Sequence, residues 1–253
     1  MPSFPSHHVS LVTGASTGIG AATALALARS GSSVAVHFNR SESEAKRVVE
    51  RITTSGSKAS AFQADLSEPS GPGGLVASVL AQFGRLDLLV NNAGSMIGRR
   101  TLLEITDDFW DKVFATNVSS VIRMVRAAAP DMISRGSGAI VNVSSVAARN
   151  GGGPGVMAYA AAKGAVLTMT KGLAKELIRS GIRVNAVNPG IIKTPFHEQF
   201  STEEQMKAMI LNIPQGRPGT SEEIASVIVF LASDEASHIV GEAIEINGGM
   251  WMD

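Results

Sequence analysis

The chain has 253 residues, and 44% of them are hydrophobic, which is enough for one large buried core. Its 22 Lys and Arg residues balance 22 Asp and Glu residues, so the formal net charge is zero, and this balance argues against nucleic acid as a partner. The chain contains no cysteine, which excludes disulfides, thiol nucleophiles and cysteine-ligated zinc.

Short runs of apolar and β-branched residues alternate along the chain with longer, often alanine-rich segments of helical period. Strands are predicted at residues 9–13, 34–38, 59–64, 86–91, 139–144, 183–188 and 243–246. Helices are predicted at residues 18–30, 41–55, 74–83, 106–134, 158–180 and 221–233. Because each strand run is nearly all apolar, the strands must be covered on both faces. The alternation therefore predicts an α/β fold, with a parallel sheet of seven strands and helices on both faces.

The predicted helix at 106–134 is long and has Pro130 near its end. Proline removes a backbone donor and clashes with the preceding helical turn. We therefore expect a break before this helix or a kink within it.

No internal repeat or interdomain linker interrupts the sequence, so residues 1–253 are expected to form one domain. The segment 194–219 does not follow the alternation, although it has an apolar side. It is expected to be either a mobile flap over a pocket or a surface helix packed on the core. Its position beyond a predicted strand, where such sheets bind ligands, favours the flap.

The first ten residues lack a basic stretch followed by an apolar run, and no later segment has about 18 uninterrupted apolar residues. We therefore expect a cytoplasmic protein with no membrane partner. The five histidines are scattered, and none has a second histidine or a carboxylate at helical metal-ligand spacing in a convincing context. No metal site is expected.

The stretch TGASTGIG, residues 13–20, joins the first predicted strand to the first predicted helix. Glycines there permit a tight turn and let backbone N–H groups at the helix N-terminus approach a pyrophosphate. The spacing of Gly14, Gly18 and Gly20 differs from the common G-x-G-x-x-G pattern, and an ordinary glycine-rich turn is the alternative. The position directly after the first strand favours nucleotide binding.

The end of the second predicted strand distinguishes NADP(H) from NAD(H), because an acid there binds ribose hydroxyls and a cation accepts a 2′-phosphate. The residues at this place are His37, Phe38, Asn39, Arg40 and Ser41, with no carboxylate. Arg40 can bind a phosphate through two donors, although an exposed ion pair with Glu44 is the alternative. We predict NADP(H) as the preferred cofactor, with NAD(H) possible.

Tyr159 is the only tyrosine, and it lies in the alanine-rich stretch AYAAAK that ends with Lys163. Residues i and i+4 share a helix face, so both side chains can point at one reacting centre. A free phenol has a pKa of about 10 and is a poor base at neutral pH. An ammonium ~4 Å away would contribute at most about 4 kcal/mol and lower the phenol pKa by up to about three units. The alternative is that Tyr159 fills a subunit contact beside a solvated Lys163.

Several short motifs follow one another in order: TGASTGIG (13–20), ADL (64–66), NNAG (91–94), TNVSS (116–120), IVNVSS (140–145), YAAAK (159–163), NPG with Thr194 (188–194) and a terminal GEAIEINGG. Together they resemble the motifs of the short-chain dehydrogenase/reductase family over nearly the whole chain. The resemblance implies a Rossmann-like, doubly wound sheet of order 3-2-1-4-5-6-7 and a nicotinamide cofactor. It also implies a catalytic group of Asn117, Ser145, Tyr159 and Lys163.

The resemblance further implies where the cofactor lies. Asp65 and Leu66 would be by the adenine ring, Asn91 along the cofactor, and Ile191 and Thr194 near the nicotinamide carboxamide. The complete set of expected cofactor-binding residues is Gly14, Ser16, Thr17, Gly18, Ile19, Gly20, Asn39, Arg40, Ser41, Asp65, Leu66, Asn91, Ala93, Gly94, Tyr159, Lys163, Pro189, Gly190, Ile191 and Thr194.

The glycine turn and the adjacent pair of serines are compared with the family pattern. Many members have a basic residue in the glycine turn that helps to bind the 2′-phosphate, whereas this chain has Ser16 and Thr17, which leaves Arg40 to bind it alone. Of the adjacent serines Ser144 and Ser145, the second is predicted to be catalytic.

The expected chemistry is hydride delivery from a nicotinamide to a carbonyl carbon, or the reverse oxidation of an alcohol, with Tyr159 as general acid/base. Ser145 would hydrogen-bond the oxygen, Lys163 would also hold the nicotinamide ribose, and Asn117 would anchor a relay water. The resemblance favours a 3-oxoacyl thioester reductase or a sugar or polyol dehydrogenase. A nucleotide-sensing or scaffold protein without turnover is the alternative class.

The substrate pocket would be assembled from residues 95–101, 149–157 and 194–213. Arg99, Arg100 and Arg149 could meet an anionic substrate there, although exposed arginines are usually only solvated. The helix predicted at 158–180 has more small and apolar residues than one buried face needs. The resemblance points to a homotetramer built on this helix, its partner before residue 135 and the C-terminal strand region. Tighter packing within one chain is the alternative.

Overall fold

The computed structural model describes residues 2–252, except for the side chains of residues 197 and 198. Its strands are β1 (Val9–Val12), β2 (Ser33–Phe38), β3 (Ala59–Gln63), β4 (Leu88–Asn91), β5 (Gly138–Val143), β6 (Ile182–Pro189) and β7 (Ala243–Ile246). They form one parallel sheet in the order β3-β2-β1-β4-β5-β6-β7. The Rossmann-like α/β fold class predicted from the sequence is confirmed.

The α-helices of the described chain are α1 (Gly18–Arg29), α2 (Glu42–Thr54), α3 (Gly71–Phe83), α4 (Asp107–Phe114), α5 (Ser120–Arg135), α6 (Ala147–Asn150), α7 (Met157–Leu177), α8 (Pro195–Phe200), α9 (Glu203–Leu211) and α10 (Ser221–Ala232). The predicted helix at 106–134 is broken into α4 and α5 by a π-helical turn at Ala115–Ser119, and Pro130 lies inside α5. Helix α6 was not predicted, because it is too short to give a clear helical period. Helices α8 and α9 lie in the segment 194–219, for which a surface helix was one of the two alternatives.

The core consists of two layers, one on each face of the sheet, because successive strand residues point to opposite faces. On β1, Val12 packs in the layer that contains Leu27 of α1 and Ile228 of α10. Its neighbour Leu11 packs in the opposite layer, which contains Met132 of α5. The strands are therefore apolar on both faces because a layer of helices covers each face of the sheet.

The direction of strand addition reverses between β1 and β4, and this reversal positions the site. The chain adds β2 and β3 on one side of β1 and then returns to place β4 on the other side, with Leu11 aligned to Leu89. The crossover connections leave β1 and β4 in opposite directions, so a crevice opens beyond the carboxyl ends of these two strands.

Candidate active site

A cavity of about 1120 Å³ lies at this carboxyl edge of the sheet. Its wall is formed by the turn before α1, by residues that follow β2, β3, β4 and β5, by the start of α7 and by the segment after β6. All of the expected cofactor-binding residues line it except Gly20 and Asn91. Three of the four expected catalytic residues line it as well, namely Ser145, Tyr159 and Lys163.

The glycine turn has the geometry that a bound pyrophosphate requires. Gly14 and Gly18 have φ angles of +61° and +55°, a region that is costly for residues with a Cβ. A Cβ on Gly20 would lie 2.2 Å from the Gly14 carbonyl oxygen, so Gly20 lets α1 pack against the turn and does not reach the cavity wall. The Thr17 side chain does not cap α1, and the first turn of this 12-residue helix contains no acidic residue. The helix N-terminus is thus suited to an anion, and the residues present fit a dinucleotide.

His37 holds the glycine turn, a role that the sequence reasoning missed. Its Nδ1 accepts a hydrogen bond from the Gly14 N–H at 3.0 Å, and its Nε2 lies 3.1 Å from the Ala64 carbonyl oxygen. These contacts require a neutral imidazole with the proton on Nε2. Burial lowers the pKa of His37 to about 4, against smaller opposite effects of the Ala64 carbonyl and the charge of Asp65, so the ring stays neutral at physiological pH.

Asn92 is a second residue that the sequence reasoning missed. Its Nδ2 donates to the carbonyl oxygens of Thr13 and Gly14 at 2.9 and 3.0 Å, while Thr13 Oγ1 accepts from the N–H groups of Asn92 and Ala93. The amide therefore joins the loop after β4 to the glycine turn. The NNAG motif in the sequence was the available signal, but the prediction used its first asparagine.

That first asparagine, Asn91, is directed away from the cavity. Its Nδ2 donates to Asn142 Oδ1 at 2.9 Å, and Asn142 Nδ2 donates to Thr170 Oγ1 at 2.9 Å. These buried side chains link β4 and β5 to α7. Asn91, which was expected along the cofactor, does not line the cavity, because its side chain lies on the face of the sheet that α7 covers.

The residues after β2 and β3 form the far end of the cavity. Asp65 Oδ1 accepts from the Ser67 N–H and hydroxyl at 2.9 and 2.6 Å, and these bonds, with smaller effects of Asn39 and the Arg40 charge, lower the pKa of Asp65. Arg40 is exposed and lines the cavity. The alternative in which it pairs with Glu44 is wrong, because Glu44 pairs with Arg47 at 2.8 Å.

Lys163 is buried and fixed between α7 and β5. Its Nζ donates to the Val143 carbonyl oxygen at 2.7 Å, and its own carbonyl oxygen accepts from Ser144 Oγ at 2.9 Å. The Nζ atom lies 5.7 Å from the centroid of the Tyr159 ring. Burial lowers the pKa of Lys163 to about 8. Ser144 therefore braces the lysine, whereas the Ser145 Oγ accepts from the Ala147 N–H at 3.1 Å and influences the pKa of Tyr159.

The prediction that Lys163 lowers the pKa of Tyr159 is wrong, because that pKa is raised and Lys163 is not among the groups that shift it. Burial raises the pKa of Tyr159 to about 12, and the Ser145 hydroxyl only partly opposes this rise. The sequence estimate assumed an unengaged ammonium ~4 Å from the phenol. In the structure the phenol is buried, and its desolvation is the largest effect on the pKa.

Asn117 lies in the π-helical turn, fully buried behind the cavity wall. Its Nδ2 donates to the carbonyl oxygens of Ser95 and Val113, both at 2.8 Å, and its Oδ1 accepts from the Ser95 N–H at 3.1 Å. A Cβ on Gly94 would lie 2.8 Å from Asn117 Oδ1 and 3.1 Å from Lys163 Nζ. The structure thus brings Asn117 and Lys163 together around Gly94, although Asn117 does not line the cavity.

An apolar cluster that includes Met96, Val156, Phe196 and Phe200 surrounds Tyr159 in the cavity wall. Met209 and Met250 line the cavity as well, and so do the polar residues Asn150 and Gln199. The Phe196 ring lies 5.9 Å from the Tyr159 ring and 5.0 Å from the Phe200 ring. Helices α8 and α9 of the 194–219 segment therefore cover the cavity with apolar side chains, whereas the mobility of this segment stays a prediction.

The three arginines considered for an anionic substrate mostly bind the protein itself. Arg99 donates to the carbonyl oxygens of Phe200 and Pro154 at 2.8 and 3.2 Å. Arg149 pairs with Glu245 at 2.9 Å. Arg100 donates to the Arg99 carbonyl oxygen and lies over the Phe109 ring. The guanidinium groups of Arg99 and Arg149 therefore hold separate segments of the chain together.

The described residues contain neither a cluster of metal-binding side chains nor a membrane-spanning helix. Within residues 2–252, apart from the side chains noted above, no group of three or more histidine, cysteine, aspartate or glutamate residues could hold a metal ion. His197, one of the five histidines, has its side chain outside the described set. None of the helices described is both long and apolar enough to cross a membrane.

Comparison with known proteins identifies the family. The family model described as enoyl-(acyl carrier protein) reductase matches residues 14–251. The chain is 42% identical over 242 residues to 3-oxoacyl-[acyl-carrier-protein] reductase FabG of Staphylococcus aureus, covering 96% of this chain and 97% of that protein. It is 40% identical over 242 residues to FabG of Staphylococcus epidermidis, covering 96% and 98% of the two chains.

A further relative is the uncharacterized oxidoreductase YgfF of Escherichia coli, 40% identical over 244 residues, which cover 95% of this chain and 99% of that protein. The chain belongs to the short-chain dehydrogenase/reductase family. It is therefore an enzyme, an oxidoreductase that uses a nicotinamide cofactor. These matches do not favour the alternative of a non-catalytic nucleotide sensor or scaffold.

Proposed function

We propose that the chain reduces a 3-oxoacyl thioester to the 3-hydroxyacyl thioester with NADPH. The observation that carries this choice is the apolar cluster around Tyr159, which includes Met96, Val156, Phe196 and Phe200. An acyl chain can bury methylene groups there, whereas a sugar or polyol would leave its hydroxyl groups without partners. The printed names of the relatives from the two Staphylococcus species point to the same substrate class.

The residues proposed to hold the cofactor follow from the cavity. The N-terminus of α1, with Gly14 and Gly18, would bind the pyrophosphate, and Arg40 would bind the 2′-phosphate. Lys163 would hold the nicotinamide ribose. When bound, the nicotinamide supplies the hydride.

The proposed catalytic roles belong to Tyr159 and Ser145. The Ser145 hydroxyl donates a hydrogen bond to the carbonyl oxygen and stabilises the negative charge that develops on it. Tyr159 then gives its proton to that oxygen. Burial raises the pKa of Tyr159 to about 12, so the phenol is protonated at neutral pH and carries the proton that carbonyl reduction requires. Reduction is the proposed direction because the relatives from the two Staphylococcus species are named as reductases.

The decisive assay is NADPH absorbance at 340 nm with a panel of substrates. Acetoacetyl and longer 3-oxoacyl thioesters of N-acetylcysteamine should consume NADPH, and sugars or polyols with NADP⁺ should produce little. Turnover of a polyol without turnover of any thioester would contradict the proposal.

We also propose that residues 1–253 form one catalytic domain in which the 194–219 segment covers the substrate. A homotetramer is proposed as well, because α5 exposes Ile122 and Ile133 by 39% and 46%, and α7 exposes Met157 by 42%. Light scattering should give about four times the 26.3 kDa of the chain. A cytoplasmic location stays a prediction from the sequence.

A further inference from the structure

The backbone of Ile97 has a conformation that its side chain opposes. Its φ angle is +61°, and it is the one non-glycine residue with a positive φ among those described. A β-branched side chain in this left-handed region clashes with its own backbone. The next residue is Gly98, which could adopt the same conformation at little cost. Glycine at position 97 would be more favourable for stability than isoleucine, yet the chain has isoleucine at position 97 and glycine at position 98.

The surroundings of Ile97 hold it in this conformation. Its N–H donates to Ser95 Oγ at 3.0 Å, and the Ser95 N–H donates to Asn117 Oδ1 at 3.1 Å. Met96, the residue directly before Ile97, is 4% exposed and packs in the apolar cluster that includes Tyr159. The two residues before Ile97 are therefore held by Asn117 and by the cluster around Tyr159.

The Ile97 side chain gains little from this arrangement in the protein alone. It is 42% exposed, and it lines the same cavity as Tyr159 and Ser145. Many substitutions at position 97 would relieve the backbone strain and reduce the exposed apolar surface. Stability alone therefore does not account for the isoleucine. Such strain is typical of ligand clamps, where contact with a ligand offsets its cost.

We propose that Ile97 is a specificity-determining residue that packs against the acyl chain of the substrate beside the reacting carbonyl. The inference rests on the proposed reduction of 3-oxoacyl thioesters and adds to it the residue that selects for chain length. The strained backbone directs the isoleucine into the cavity, so that a substrate with more methylene groups buries more of its surface.

The test uses Ile97→Gly and Ile97→Asn, because both residues tolerate a positive φ. The ratio of kcat/KM for 3-oxooctanoyl over acetoacetyl N-acetylcysteamine should fall roughly tenfold in both variants, the effect of losing one well-buried aliphatic contact. The change should lie mainly in KM. Thermal unfolding should show that both variants fold, with a Tm equal to or above that of the parent.

Ile178→Asn is the matched control, since Ile178 has a similar exposure of 38% but lies past the end of α7, away from the cavity. It should leave the selectivity ratio unchanged. An unchanged ratio in the two Ile97 variants would overturn the inference while leaving the proposed reaction intact.

A binding experiment separates the two proposals. Calorimetry with saturated octanoyl and acetyl N-acetylcysteamine thioesters in the presence of NADP⁺ requires no turnover. Tighter octanoyl binding that is lost in Ile97→Asn supports the inference even if no 3-oxoacyl substrate is reduced. Equal binding of the two thioesters by the parent protein, or an octanoyl preference retained by Ile97→Asn, would overturn it.

Discussion

Arg99 donates a hydrogen bond through Nε to the Phe200 carbonyl oxygen at 2.8 Å, and so joins the loop after β4 to the end of α8, 101 residues later in the sequence. The same guanidinium reaches the Pro154 carbonyl oxygen at 3.2 Å and Ser201 Oγ at 3.4 Å. One side chain thus joins three segments of the chain that are proposed to form the substrate pocket.

We predict that Arg99→Gln weakens substrate binding without changing the chemistry. The glutamine side chain cannot reach all three acceptors, so α8 should lose part of its fixed position over the cavity. KM for the thioester should rise about fivefold to tenfold, the effect of losing about 1 kcal/mol of net hydrogen bonding, while kcat changes little. Steady-state kinetics measures both. Arg100→Gln is the neighbouring control, and an equal rise in its KM would contradict the role of Arg99.

Tyr159→Phe should abolish most turnover while leaving the fold and cofactor binding intact. The phenylalanine ring keeps the contact with Phe196 but has no proton to give. The loss of a general acid should lower kcat by about 10² to 10⁴-fold. Single-turnover assays give the rate, and calorimetric titration with NADPH gives the cofactor Kd. Retained turnover would remove the proposed role of Tyr159.

Arg40→Gln should change the choice between the two cofactors. Without the guanidinium, the 2′-phosphate loses its charged partner, and KM for NADPH should rise roughly tenfold while KM for NADH stays nearly constant. Arg47→Gln is the matched control, because Arg47 is also exposed and pairs with Glu44 outside the cavity. If the NADPH to NADH ratio were the same in all three proteins, Arg40 would not bind the 2′-phosphate.

We predict that the lowered pKa of His37 makes the free energy of unfolding fall as the pH decreases into mild acid. Its pKa is lowered by burial from 6.5 to about 4, so the unfolded chain takes up a proton below pH 6.5 while the folded chain does not. The free energy of unfolding should therefore fall by up to about 3 kcal/mol between pH 6.5 and 4 from this residue. Urea unfolding across this pH range measures the slope.

The variant that tests this slope is His37→Asn, whose amide oxygen can accept from the Gly14 N–H without titrating. His8, whose pKa is also lowered to about 4 chiefly by burial, remains in the variant and should contribute its own part of the decline. The variant should thus lose stability less steeply than the parent between pH 6.5 and 4. Parallel curves for the two proteins would contradict the assignment.

The local features of the site were predictable because they depend on residues close together in the sequence. The strands followed from short apolar runs, and the glycine turn followed from TGASTGIG directly after the first of them. The common face of Tyr159 and Lys163 followed from their separation of four residues on one helix. Each of these inferences uses the periodicity of a single element.

The contacts between distant segments could not be predicted in this way. The bond from Gly14 to His37 depends on the register of β1 against β2, and the tie from Arg99 to Phe200 depends on where α8 lies over the cavity. The pKa of Tyr159 was predicted in the wrong direction because the estimate included a charge at an assumed distance and no desolvation. The burial of Tyr159 depends on distant segments of the fold, so it cannot be inferred from the sequence near this residue.

The crowding at Gly94 limits how this enzyme could be redesigned for bulkier ketones. One added methyl group at this position would push the Asn117 amide away from the Lys163 ammonium, and both are already held on their other sides by Ser95, Val113 and Val143. A mutant library of the cavity wall should therefore vary the residues after Gly94 and keep glycine at position 94.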